Sequence, residues 1–138
     1  MSVRILLVDN EESVRKSVSL FLGDYFKVDA VASGEEALLA NYARGSYATV
    51  ITDLQLSGMS GRMLLQRLAD VAPTMSRLVF TADTDVEDML EAEKVGHIFK
   101  LLRKPCPIAV MHEMVNIAVQ QHRKLNARYC IQSYVVTD

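Results

Sequence analysis

Four short stretches place chemically capable side chains directly after apolar runs. "LLVDN" ends in Asp9 and Asn10, and "VITDLQLSGMSG" sets Asp53 after "VIT". "LVFTA" ends in Thr81 and Ala82, and "LLRKP" carries Lys104. Each has an ordinary reading taken alone. A lone Asp after a strand is most often a turn or cap residue, a lone Thr a β-former, a lone Lys a solvated charge. Together they are acids, a hydroxyl and an ammonium. Those are the groups of acid and charge-stabilising chemistry, provided the fold brings them to one rim.

The elements between them decide that question. "VRILLVD" is apolar at nearly every position, as a strand buried on both faces should be. Val14, Val18, Phe21 and Leu22 recur at helical spacing, and Gly23 can stop that helix. "FKVDAV" reads as a second strand. Ser33 and Glu36 form a capping box ahead of Ala37, Leu38 and Tyr42, with Gly45 as a stop. "YATVIT" is a third strand. Leu64, Leu68 and Val71 mark a third helix, capped by Ser60 and closed by Pro73. "SRLVFTA" is a fourth strand. Thr84 and Glu87 open a fourth helix through Val86, Met89 and Leu90, ended by Gly96. "HIFKLL" is a fifth strand. Pro107 suits the first turn of a last helix carrying Met111, Met114, Val115 and Ala118. Strand and helix alternate five times with short loops, which implies parallel strands with crossover helices on both faces. In such a doubly wound α/β sheet the ligand site lies at the carboxyl ends of the strands. Asp9, Asn10, Asp53, Thr81, Ala82 and Lys104 all fall on that edge.

Composition narrows the classes. The chain has 138 residues, half of them apolar, enough for one domain with its own core. A net charge of -2 leaves no basic footprint for nucleic acid. The apolar runs are strand-sized, far short of the roughly 20 residues of a membrane span. "MSVRILLVDN" lacks the parts of a signal peptide, so a cytoplasmic protein is expected. Cys106 and Cys130 have no close metal-ligand spacing and read as reduced thiols.

The four stretches, in this order, resemble the receiver domain of two-component response regulators, over roughly residues 3 to 124. The resemblance implies a flavodoxin-like sheet of order 2-1-3-4-5, with residues 125 to 138 as a tail or the start of a linker. It implies that Asp53 is a phosphoacceptor, taking a phosphoryl group from the phosphohistidine of a histidine kinase or phosphotransfer protein. It implies Mg²⁺, held by the side chains of Asn10 and Asp53, the main-chain carbonyl of Gln55, and waters on Asp9. Lys104 is expected to place its ammonium against the phosphoryl oxygens, Thr81 to hydrogen-bond one of them, and Ala82 to leave room and donate its N–H. Such a domain is a switch and not a turnover enzyme. Its output runs through a downstream effector domain or protein.

Several positions depart from the family pattern. Asn10 stands where a second acid is usual. A unit charge at 4 Å is worth about 4 kcal/mol at an effective dielectric of 20, and roughly double against a divalent ion, offset by desolvation. Weaker Mg²⁺ binding is therefore expected. Glu11 or Glu12 is a candidate to compensate, although acids also suit the first turn of a helix. Leu101 replaces a common aromatic residue, Phe99 two residues earlier is expected on the same side of the strand as a packing residue, and Ser57 replaces a common Pro. Gln55 and Asp83 are expected to flank the phosphoryl group and set its lifetime.

The last helix has a wide apolar arc including Val110, Met114 and Ile117. This fits burial of one face, or an interface of the fourth helix, fifth strand and fifth helix that would serve a homodimer. The basic run from His122 to Arg128 can continue the helix, and "YCIQSYVV" is apolar enough to dock on its own domain or to begin a further segment. The main alternative is a degenerate receiver, a protein-binding module that works without phosphorylation. A phosphatase with an Asp-x-Asp nucleophile motif does not fit "VDNEES". An acidic first loop does not fit a flavin phosphate site.

Overall fold

The computed structural model describes residues 3–82, 91 and 98–134. Within them the order is β1(Arg4–Val8), α1(Glu12–Leu22), β2(Lys27–Val31), α2(Gly34–Arg44), β3(Tyr47–Thr52), α3(Gly61–Val71), β4(Ser76–Thr81), β5(Lys100–Arg103) and α4(Ile108–Tyr134). The helix expected from Thr84 to Gly96, and Asp83 with it, lies outside the described residues, apart from Glu91. The five strands form one parallel sheet, ordered β2-β1-β3-β4-β5. No described helix is long and apolar enough to cross a membrane.

The strands are apolar on both faces because both faces are covered. Ile5, Leu7, Ile51, Leu78, Phe80 and Leu102 point to one side, under Val18 and Leu22 of α1 and Met111, Val115 and Ala118 of α4. Leu6, Val8 and Val50 point to the other, under Ala37 of α2 and Leu64 and Leu68 of α3. The period-2 alternation of a strand divides each segment between two cores. β3 is buried at all six positions and lies centrally, so Asp53 leaves the sheet from its most constrained strand.

The helix ends follow from local chemistry. Ser33 Oγ accepts from Glu36 N at 3.2 Å, and Ser60 Oγ from Met63 N at 3.2 Å. The return bond of the first box reaches one residue further back than the motif requires, from Ala32 N to Glu36 Oε2 at 2.7 Å. Gly23 and Gly45 cap α1 and α2 at their C-termini, and Pro107 sits just before α4, its carbonyl accepting from Val110 and Met111.

Four expectations need correction. Tyr42 is 91% exposed; five residues beyond Ala37 it has turned about 140° around the helix and left the apolar stripe. Val71 shares the face of Leu64 but is the last helical residue and is exposed. The fifth strand starts at Lys100, where pairing with Leu78 begins, and Phe99 lies in a bend before it. Alternation therefore does not extend back to Phe99. It packs into the core under α1 and α4, whereas Leu101 packs with Leu54, Leu65, Val79 and Ile98 on the opposite face. Finally, "YCIQSY" continues α4, and Tyr129, Cys130 and Ile131 are exposed.

Candidate functional site

β1, β3, β4 and the turn after β5 deliver their terminal residues to one rim. Asp9 is 1% exposed and has two jobs. Its Oδ1 accepts from Glu11 N at 2.9 Å, taking an otherwise free N–H at the start of α1. Its Oδ2 accepts from Lys104 Nζ at 2.7 Å. Arg15 Nη1 donates to the Asp9 carbonyl at 2.8 Å, fixing the main chain from the next turn of α1.

Asp53 is 7% exposed. Its N–H donates to Val8 O at 3.0 Å, which locks the backbone to β1. Its Oδ1 accepts from Thr81 Oγ1 at 2.7 Å and Gln55 N at 3.1 Å, and its Oδ2 from Lys104 Nζ at 2.9 Å. Burial alone would push this carboxyl up. The bonds from Thr81, Lys104 and Gln55 outweigh burial and hold it below the usual carboxylate range. Lys104 is the mirror case. Burial would pull its ammonium down, but Asp9 and Asp53 together hold it above the ordinary lysine value. Lys104 Nζ also lies 5.3 Å from the Phe80 ring centroid, and Lys104 N donates to Thr81 O at 2.9 Å.

A cavity of about 240 Å³ opens beside this cluster, lined by Asn10, Glu11, Asp53, Gln55, Thr81, Ala82 and Lys104. Asp9, Asn10, Asp53, Gln55, Thr81, Ala82 and Lys104, the proposed site residues, are thus gathered at one place. Glu12 pairs instead with Lys16 at 3.1 Å on the surface of α1. Among the described residues no three His, Cys, Asp or Glu side chains converge. The oxygen-bearing residues there include Asp9, Glu11, Asp53 and Asn10, with main-chain carbonyls besides. That is a hard-oxygen set with few formal charges, which fits Mg²⁺ better than a softer metal.

Gly61 works differently from a turn residue. A Cβ there would run into Asp53 O and lie 2.6 Å from Leu54 Cα. The first turn of α3 therefore packs directly on the backbone of Asp53, and Gly61 N donates to Leu54 O at 3.0 Å. Gly58, at φ 77°, is the position that needs the left-handed region. Two positioning contacts escaped the sequence. Arg15 had no signal beyond helical spacing from Asp9, and Glu35, which accepts from Met59 N at 2.8 Å, is 24 residues from its partner.

The model of the response regulator receiver domain family matches residues 5–116. The chain belongs to that family. Among its relatives, this receiver is 32% identical to the transcriptional regulatory protein FixJ of Rhizobium meliloti, over 81% of this chain and 54% of FixJ. It is 37% identical to the regulatory protein VanRB of Enterococcus faecalis, over 67% of this chain and 41% of VanRB. The receiver thus spans about half or less of these curated relatives. Among solved structures it is similar to an adenylate cyclase from Rhodopirellula baltica, with TM-score 0.92 and 25% identity over 98% of this chain and 100% of that one. It is also similar to a receiver domain from Clostridium thermocellum, with TM-score 0.83 and 26% identity over 89% of this chain and 98% of that one.

Proposed function

We propose that this receiver accepts a phosphoryl group on Asp53 from the phosphohistidine of a histidine kinase or phosphotransfer protein. The reaction is Mg²⁺-dependent, takes place in the cytoplasm, and switches contacts with a downstream effector domain or protein. One observation carries the reading: a single ammonium, Lys104 Nζ, lies within 2.9 Å of carboxylate oxygens from both Asp9 and Asp53. Phosphoryl transfer depends chiefly on positioning and on neutralising charge.

Asp53 is kept ionised, the form that attacks phosphorus. As the O–P bond forms, the P–N bond of phosphohistidine breaks and its electron pair returns to the imidazole. The imidazole enters protonated on its other nitrogen and leaves neutral, and Asp53 becomes an acyl phosphate. Lys104, charged throughout, turns from carboxylate to phosphoryl oxygen. Thr81 gives up Asp53 Oδ1 and donates to the phosphoryl group, and Ala82, which lines the cavity, is the residue whose N–H would do the same. Asp9, Asn10, Asp53 and the Gln55 carbonyl are the proposed holders of Mg²⁺, which supplies countercharge when bound.

Intact mass after incubation with acetyl phosphate tests this. A Mg²⁺-dependent phosphoryl adduct is expected on the wild type and not on Asp53→Asn. A folded wild type that takes no adduct at high Mg²⁺ refutes it, and leaves the phosphorylation-independent binding module.

A further inference from the structure

The loop from Leu54 to Ser60 carries the Gln55 main chain past the cavity. Its base is fixed by Gln55 N to Asp53 Oδ1 and by Gly61 N to Leu54 O. Its far side meets a different element. Glu35, in the first turn of α2, accepts from Met59 N through Oε1 at 2.8 Å. Its Oε2 and Oε1 lie 3.0 and 3.2 Å from where a Cβ on Gly58 would stand. The Met59 side chain closes on the same turn, with Sδ 3.1 Å from the Cβ position of Gly34. Two neighbouring acids have thus divided their work. Glu36 caps its own helix through Ala32 N, whereas Glu35 reaches across to the loop. The positive end of α2 favours a carboxylate at this place.

From this contact we infer that Glu35 is a positioning residue for the phosphoacceptor site, a tether that holds the loop so that the Gln55 main chain, bonded to Asp53 through its N–H, stays beside the cavity. The inference rests on the phosphoacceptor reading above. Glu35 touches neither the reacting atoms nor the cavity wall, so its effect falls on how tightly the cation is held. The maximal rate of transfer, set by Asp53 and Lys104, stays unchanged. The acceptor oxygen matters here more than the charge, which lies in solvent and is screened.

The test compares wild type, Glu35→Ala and Glu35→Gln, since Gln keeps an acceptor oxygen and loses the charge. Amide hydrogen exchange at Met59 reads the tether without any phosphorylation. Mg²⁺ titration and the Mg²⁺ dependence of adduct formation from acetyl phosphate read its consequence. Met59 protection is expected to fall in Glu35→Ala, and Mg²⁺ affinity to drop about fivefold, the worth of one partly exposed hydrogen bond to a charged acceptor. The rate at saturating Mg²⁺ stays at the wild-type value, and Glu35→Gln returns both readouts to within about twofold. Glu35→Ala equal to wild type in an active background overturns the tether alone. Glu35→Gln as weak as Glu35→Ala overturns it in favour of bare charge. A wild type that takes no adduct overturns the phosphoacceptor reading and the tether with it.

Discussion

Replacing Lys104 with Met is the sharpest test of the site's electrostatics. Lys104 Nζ lies 2.7 Å from Asp9 Oδ2 and 2.9 Å from Asp53 Oδ2, so these oxygens are within about 6 Å of each other. Both carboxylates are buried, and the Lys104 side chain is only 14% exposed. Without the ammonium, two negative charges at about 6 Å repel by about 3 kcal/mol at an effective dielectric of 20. That equals about two pH units on one of the two carboxyls. The signs then reverse. In the wild type the Asp53 carboxyl is depressed, so its contribution to stability is present above its unfolded value and is lost as pH falls through the folded one. In Lys104→Met one carboxyl of the pair is raised, so stability is highest in acid and is lost as pH rises through the raised value. Urea melts followed by far-ultraviolet circular dichroism read both slopes, the wild type's from about pH 2.5 to about 4 and the variant's from about pH 4 to about 7. The expected result is a wild type that gains stability with pH and a variant that loses it, about 3 kcal/mol weaker at pH 7. A variant whose slope keeps the wild-type sign would show that water in the cavity screens the pair, and would refute the reasoning.

Three further outcomes are expected. Asn10→Asp adds a formal charge at the cavity wall and should tighten Mg²⁺ at least about tenfold by calorimetric titration; equal affinities would sink the account of Asn10. Gly61→Ala drives a methyl into Asp53 O and Leu54 Cα, so it should cost about 3 kcal/mol or more in denaturant melts. It should also slow adduct formation on Asp53, and a neutral variant would mean that the start of α3 can shift freely. Tyr47 is pushed up to about 12 by burial and by the 2.6 Å bond its hydroxyl donates to Asp29 Oδ2. Its share of stability is complete below about pH 10, and is lost as pH rises through the folded value. Tyr47→Phe should therefore be weaker by about 1 kcal/mol at pH 7, with the gap closing between pH 10 and 12.

The sheet was legible because burial on both faces writes itself as unbroken apolar runs, and β3 matches "YATVIT" residue for residue. The rim was legible because each candidate side chain directly follows such a run. What stayed hidden depends on contacts between distant segments. Nothing local ties Glu35 to Met59 or shows that Gly61 faces a carbonyl. Phe99 was misplaced because alternation assigns faces only where pairing holds, and pairing starts one residue later. Tyr42 was misplaced because an aromatic residue near an apolar stripe was counted with it, although helical rotation had carried it away. The basic run from His122 to Arg128 does continue α4, and only the further run to Tyr134 escaped, because an apolar segment after it reads equally as docked chain.

That helix is also a lever. It is fastened to the first residue of β4 by Ser76 Oγ donating to Ala118 O at 2.6 Å, and to the turn before β4 by the His122 ring lying 2.7 Å from Thr74 O. β4 is the strand that ends in Thr81. Beyond Ala118 the rod runs on for about 24 Å to Tyr134. A tilt of about 5° at the fastening would sweep its tip through about 2 Å, several times the movement at the pivot. Any tilt about that fastening is therefore magnified toward residues 127–134, by a factor that the helix's length fixes.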